Sequence, residues 1–227
     1  LTPVVVTGVT PTITEIDKEY AVIHMSYVVE SMNDKKSHYY QVDEYYNVTY
    51  NRSSEMVKLL AFDRYQESFF DSGYISKDRN SISMGVTNDP AEYVTSEDYG
   101  ILAFVRLGQL WMYKYNDSSL TNIFSYPQDS FSDARTLNTN LDINIADMDA
   151  DGNIYFVVYG YMNRGEHEGK NGMSLYYYSA ENMTTQELFF VECDESYDIM
   201  KKETGRFTYY NAQTNKFYYL LDETLYE

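Results

Sequence analysis

The fold class follows from one stretch of the chain, Gly152-Asn153-Ile154-Tyr155-Phe156-Val157-Val158-Tyr159. Its last six residues are aromatic or β-branched, and an Asp-Gly turn signal precedes them. Short runs of this kind, bounded by Gly, Asn, Asp or Ser, are typical of β-strands. The same pattern recurs at residues 173–178 and 216–221. The sequence therefore predicts an all-β fold.

One segment, residues 54–73, has two interpretations. Leu59, Phe62 and Phe69 recur at a spacing compatible with a helix, Ser54 can cap its start, and Gly73 can end it. The run at 59–62 can equally form a strand. Both interpretations stay open at this stage.

A weak internal repeat suggests the architecture. Glycine-led strands begin near residues 100, 152 and 205, about 50 residues apart, and each leads into a strand, a polar turn and a further strand. A period of about 50 residues is in the range of β-propeller blades. We therefore expect residues 1–227 to form a single β-rich domain, or a fragment of one. The expected fold is a β-propeller-like array of antiparallel meander blades, complete or incomplete.

Composition excludes several classes of partner. The chain has 17 Lys and Arg against 35 Asp and Glu, which gives a net charge of −18. Nucleic acids and anionic lipid surfaces are bound by basic patches, so neither partner is expected. Apolar runs are shorter than the roughly 18 residues of a membrane-spanning helix, which predicts no direct membrane insertion of this segment. The single cysteine, Cys193, lies among acidic residues that should raise its pKa, which argues against a nucleophile.

The sharpest motif is the acidic turn that carries Asp147, Asp149 and Asp151, followed by Gly152. Alternating carboxylates before a glycine are typical of calcium loops. However, the twelfth position of an EF-hand loop is occupied here by Val158, and the ninth position of the other common calcium loop by Tyr155. The closing ligand is missing in both patterns. The turn is thus either a calcium site or an acidic hairpin turn, and no other cofactor is expected.

A ten-residue loop at 163–172 joins two strong strands, where hairpin loops usually take two to five residues. Long loops on rigid scaffolds often carry binding residues. Arg164, Glu166, His167 and Glu168 are the candidate binding residues, and a solvated loop without function is the alternative. The intervening strand would span about 30 Å, too far for this loop and the acidic turn to share one ion.

A series of motifs runs through the second half of the chain: Ile123-Phe124-Ser125-Tyr126, Asp133-Ala134-Arg135, Asp142-Ile143-Asn144-Ile145, the run from 152 to 165, and Glu166-His167-Glu168-Gly169. With these motifs, roughly residues 80–227 resemble the propeller-like extracellular region of large, uncharacterised, membrane-anchored surface proteins of Gram-positive gut bacteria. The resemblance implies a β-rich fold and an extracellular location, with anchoring through a part of the parent protein outside this segment. It implies no activity.

Catalytic motifs are missing from the sequence: it contains no Gly-x-Ser-x-Gly elbow, P-loop or dinucleotide-binding glycine pattern. We therefore expect a non-catalytic extracellular recognition or scaffold module that contacts a protein or a glycan at the cell surface. The alternative is a surface hydrolase of glycans or peptides that uses loop acids such as Glu166 or Glu168.

Overall fold

The computed structural model describes residues 2–33, 35–78, 80–88, 90–125 and 140–227. Strands account for 59% and helices for 4% of the structure, and the sheets are antiparallel, so the all-β prediction is confirmed. No closed barrel or propeller is detected in the described part of the chain. Tyr126 and residues 133–135, which contribute to the resemblance, lie outside the described ranges.

The chain divides into two compact units. In the described ranges the first unit contains residues 2–74 and 83–90, and the second contains residues 75–82, 91–125 and 140–227. Each unit is built from its own antiparallel sheets.

The first unit is one five-stranded sheet. Its strands are β1 (Val4–Val5), β2 (Thr10–Ile16), β3 (Tyr20–Asn33), β4 (Lys36–Asn51) and β5 (Met56–Ser68). They lie in the order β1-β3-β4-β5, with β2 also paired to β3. A small buried cluster of Tyr27, Val29 and Val42 lies within this sheet.

The helical interpretation of residues 54–73 is wrong, and the strand interpretation is confirmed, since most of this segment forms β5. The Asn51 side chain accepts hydrogen bonds from Ser53 N (2.9 Å) and Ser54 N (3.3 Å). This closes a tight turn that directs the segment back along β4. Leu59 and Phe62 stay about half exposed, so the strand is held by its pairing with β4 and not by burial of these side chains.

The second unit contains three consecutive meanders. Meander A consists of β6 (Tyr93–Thr95), β7 (Ile101–Arg106), β8 (Gln109–Lys114) and β9 (Ser119–Ser125). Meander B consists of β10 (Leu141–Met148), β11 (Ile154–Tyr161), β12 (Asn171–Ser179) and β13 (Thr184–Glu192). Helix α1 (Tyr197–Lys202) leads into meander C, which consists of β14 (Thr208–Asn211), β15 (Lys216–Leu221) and β16 (Thr224–Tyr226).

Meanders A and B share the same local irregularities. The turns β8–β9 and β12–β13 each contain one residue in the left-handed region, Ser118 (φ 56°) and Met183 (φ 52°). Each following strand then has one unpaired residue in a β-bulge, Ile123 in β9 and Leu188 in β13. Turn residue and bulge are equally spaced in both copies, at 118 and 123 and at 183 and 188. The two meanders are therefore structural repeats of each other.

Strand β11 contributes to two cores because its side chains alternate between the faces of meander B. Ile154 and Phe156 pack into a cluster with buried residues of meander A. Val157 and Tyr159 pack on the other face with buried residues of α1 and meander C. Meander B is thus covered on both faces, and its turns and loops are presented from a rigid base.

Candidate functional site

The acidic turn joins β10 to β11, and its hydrogen bonds centre on Asp149. Asp149 Oδ1 accepts from Asp151 N (3.0 Å) and from Asn153 N (2.9 Å), and Oδ2 accepts from Asn153 Nδ2 (2.8 Å). Both carboxylate oxygens thus accept hydrogen bonds from donors of the same turn. Asp149 acts as the acceptor that closes the turn.

The other two acids of the motif have different surroundings. Asp147 lies at the end of β10, where burial raises the pKa of its carboxyl and the negative charge of Asp149 adds to the rise. Asp151 is exposed and contributes only its backbone N–H to the network around Asp149. Across the described ranges, no group of three or more His, Cys, Asp and Glu side chains could hold a metal ion. The calcium site and the plain acidic turn thus both remain open interpretations of this motif.

The 163–172 loop is ordered by its own backbone, and its last two residues, Asn171 and Gly172, already belong to β12 and pair with β11. Met162 N donates to Lys170 O (2.8 Å) and Gly169 N to Met162 O (2.8 Å), so the ends of the loop are paired. A further bond from Glu168 N to Gly165 O (3.3 Å) closes a turn within it. The loop therefore has a defined conformation.

His167 fixes the loop to the sheet. Its Nε2 lies 2.9 Å from Glu187 Oε1, and its ring stacks on Phe190 with centroids 3.9 Å apart. Ser174 Oγ donates to the same Glu187 oxygen (2.8 Å). Neither Glu187 nor Ser174 was identified from the sequence, because nothing in the local pattern of β12 or β13 indicates a partner for His167.

The remaining candidates of the loop have separate environments. Glu166 and Glu168 are exposed, while Arg164 is half-buried. The structure pairs His167 with Glu187 of the sheet. The loop thus presents acidic side chains around a histidine whose role is to hold the loop in place.

Glu92, just before β6, is a titratable residue that sequence reasoning missed. Its Oε1 accepts from Ile145 N (3.1 Å) in β10. Burial raises the pKa of its carboxyl to about 7, and the charge of Asp142 adds to the rise, although the hydrogen bond from Ile145 opposes it. About 50 residues of chain separate Glu92 from Asp142, so only the packing of meander A on meander B brings them together.

Cys193 has the raised pKa that its acidic neighbours predict. Burial is the largest cause, and Glu195 and Asp194 contribute further. Its thiol lies 3.7 Å from the sulfur of Met200, in a largely apolar setting. A thiol with a raised pKa is a poor nucleophile, which agrees with the expectation.

No helix in the described parts of the chain has the length and apolar character needed to cross a bilayer. In comparisons with models of known protein families, with curated proteins and with solved structures, no match to this chain is found.

Proposed function

We propose that this protein is a non-catalytic extracellular recognition or scaffold module that contacts a protein or a glycan at a bacterial cell surface. The observation that carries the proposal is the 163–172 loop, which is ordered along its backbone and fixed to meander B through His167 and Glu187. A loop that is already ordered loses less conformational entropy when it binds. Glu166 and Glu168 are exposed acidic residues of this loop and are the proposed contacts to a partner.

The second unit, in this proposal, is an array of propeller-type blades. Support comes from three consecutive antiparallel meanders and from the shared turn and bulge positions of meanders A and B. Face-to-face packing of meander B on its neighbours is also how consecutive blades pack. Loops at one edge of such an array form a common contact surface.

The proposed location is outside the cell, with anchoring through a part of the parent protein beyond this segment. The resemblance to surface proteins supports this location. The high acidic charge agrees with it because such a surface would be repelled by anionic lipid headgroups and would stay in solution beside the membrane.

Binding of the purified protein to glycan and peptide arrays tests the proposal. We expect one class of ligand to bind, and the double variant Glu166→Ala/Glu168→Ala to lose that binding while its melting temperature stays unchanged. The matched control is Glu55→Ala/Glu223→Ala, which removes two exposed acids elsewhere. Equal binding by the loop variant and the wild type would contradict the proposed contact surface.

The alternative, a surface hydrolase, is favoured by one observation: the pKa of Glu92 is raised to about 7 and the charge of Asp142 acts on it. A carboxyl with a pKa near 7 suits general acid catalysis. A hydrolase of this kind would lose activity as the pH rises through 7, and Glu92→Gln would abolish the activity. Turnover of glycan or peptide substrates with this pH profile would replace the recognition proposal.

A further inference from the structure

The sheet of the first unit has two unlike faces. Tyr46 contacts Phe62 on one face, with ring centroids 4.9 Å apart, and Tyr45 contacts Tyr65 on the other, at 6.0 Å. Directly opposite residues of paired strands lie on the same face, so the register extends the first face across β2, β3, β4 and β5. We call it the apolar face, and its rows are Ile13, Ile23, Tyr46 and Phe62, then Ile16, Ala21, Val48 and Leu59, then Tyr50 and Val57.

Much of the apolar face is open to solvent. Further along the strands, the same face holds the buried cluster of Tyr27, Val29 and Val42. A β-sheet in a folded domain normally buries its apolar face against a second layer. Within the residues that the structure describes, the exposed part of this face has no such layer. Six of its residues are 43–72% exposed, namely Ile13, Ile16, Tyr50, Val57, Leu59 and Phe62.

The charged residues that border the apolar face are paired with each other. Glu44 and Arg64 lie opposite each other in the next row, with Arg64 Nε 3.8 Å from Glu44 Oε1. The hydroxyl groups of Tyr27 and Tyr46 also donate to the Glu44 carboxylate, both at 2.9 Å. The two charges cancel, so this face is locally neutral on a chain of net charge −18. A partner attracted by charge would contact the acidic surface elsewhere, whereas this face selects a partner by its apolar surface.

The exposed area of the apolar face is of the size that a dimer interface needs. At roughly 150 Å² for one large apolar side chain, the six exposed residues offer about 500 Å² per copy. A standard interface buries about 800 Å² per partner, and between identical subunits about 65% of this area is apolar. That again is about 500 Å². Contiguous apolar patches of several hundred Å² on a soluble protein mark interaction sites.

We infer that a second copy of this chain supplies the missing layer, and that the apolar faces of two copies stack on each other around a two-fold axis. Two sheets that pack face to face lie about 10 Å apart with their apolar side chains between them. A two-fold axis brings the same surface of both copies into contact. A neutral apolar sheet face is complementary to itself, because the contact brings no like charges together. The inference concerns the first unit and goes beyond the proposed function, which rests on the 163–172 loop.

Sedimentation velocity of the full chain at pH 7, at about 1 to 100 μM, tests the inference. We expect a species of twice the chain mass of 26.6 kDa at the higher concentrations. Leu59→Thr/Phe62→Thr keeps the net charge and places good strand formers at both positions. This variant should weaken dimerisation about tenfold or more, because two-fold symmetry removes each lost contact twice. The melting temperature should rise with protein concentration for the wild type and stay constant for this variant.

The matched control is Met56→Thr/Tyr65→Thr, which changes two exposed residues of the same strand on the opposite face of the sheet and should dimerise like the wild type. A wild type that stays monomeric over the whole range overturns the inference, as does a dimer that Leu59→Thr/Phe62→Thr leaves intact. Growth into open-ended oligomers also overturns it, because a two-fold contact closes at two copies. Flotation of a monomer with phosphatidylcholine vesicles would identify lipid as the occupant of this face instead. Array binding that depends on the 163–172 loop is measured separately and would in each of these cases still support the proposed function.

Discussion

At the residue scale, Glu92 makes the stability of the packing between meanders A and B depend on pH. Burial and the charge of Asp142 raise the pKa of its carboxyl from 4.5 to about 7. A carboxyl with a higher pKa in the folded than in the unfolded chain binds more protons when folded. The stability that it contributes is therefore present at low pH and is lost as the pH rises from about 4.5 to about 7.

Glu92→Gln should remove this loss. We expect the variant to gain stability relative to the wild type between pH 5 and pH 8. The gain should be about 1 kcal/mol or less, because Glu92 is an exposed residue and solvent screens its charge. Urea unfolding at both pH values measures it. Glu97→Gln, an exposed substitution in the following turn, is the control, and a variant that instead loses stability at pH 8 would contradict the prediction.

Asp149 is the residue on which the acidic turn depends. Asp149→Ala leaves the N–H groups of Asp151 and Asn153 without their acceptor and should cost about 1 kcal/mol in the free energy of unfolding. Asp151→Ala removes a carboxylate that accepts no hydrogen bond in the described structure and should leave stability unchanged. Chemical unfolding of both variants checks the contrast. Equal losses would show that the network around Asp149 does not hold the turn.

The same turn gives a prediction about calcium. We expect the melting temperature of the wild type to be equal in millimolar calcium and in chelator, because the closing ligand is missing and both Asp149 oxygens accept hydrogen bonds. If calcium bound here, a concentration 100 times its Kd would add about 2.7 kcal/mol to the free energy of unfolding. A calcium-dependent rise that Asp149→Ala removes and Glu166→Ala keeps would establish the ion site.

At the element scale, Gly152 determines how closely the acidic turn approaches meander A. Its φ is 87°, and a Cβ would lie 3.0 Å from Ile101 Cδ1 and 3.2 Å from Met112 Sδ. Gly152→Ala should therefore destabilise the protein by about 2–3 kcal/mol, through both backbone strain and overpacking. Gly108→Ala is the control: its φ is also positive, at 69°, but nothing lies within 4 Å of the added Cβ. Equal losses in denaturant unfolding would show that packing against meander A contributes nothing.

Local pattern was sufficient to predict three strands of the second unit. The run at 216–221 coincides with β15, and the runs at 154–159 and 173–178 lie within β11 and β12. Each contains β-branched or aromatic residues between clear turn signals. Helix α1 was missed, although Ser196 caps it and Lys201 and Lys202 occupy its last turn, because six residues give too short a period to recognise.

Some features could not be predicted from local pattern, because they depend on contacts between residues far apart in the sequence. The choice between helix and strand at 54–73 depended on pairing with β4, which the segment itself does not encode. His167 was identified from its loop, but its contact with Glu187 depends on the register of β12 and β13. Lys114 of meander A and Glu181 of meander B line one cleft, and they do so only because these two meanders pack together.

At the scale of the whole molecule, the net charge of −18 opposes compaction. Added salt should raise the melting temperature at pH 7, because the screening length falls from about 30 Å at 0.01 M to about 10 Å at 0.1 M. Near the pI of 4.4 the net charge vanishes and the effect of salt should disappear. Thermal melts at both pH values measure the difference. A melting temperature that falls with salt at pH 7 would mean that attractive ion pairs dominate.

Meander B lies between two buried clusters, and this position determines the order in which the three meanders unfold locally. Meanders A and C each share one cluster with it, so either can detach while the other cluster stays intact. Meander B can open only when both are lost, so its backbone amides should be the slowest in the second unit to exchange with deuterium. The amides of β14 to β16, in the smallest sheet, should exchange early. The most persistent part of the unit therefore carries both the 163–172 loop and the acidic turn, and each keeps its shape while the sheets around it loosen.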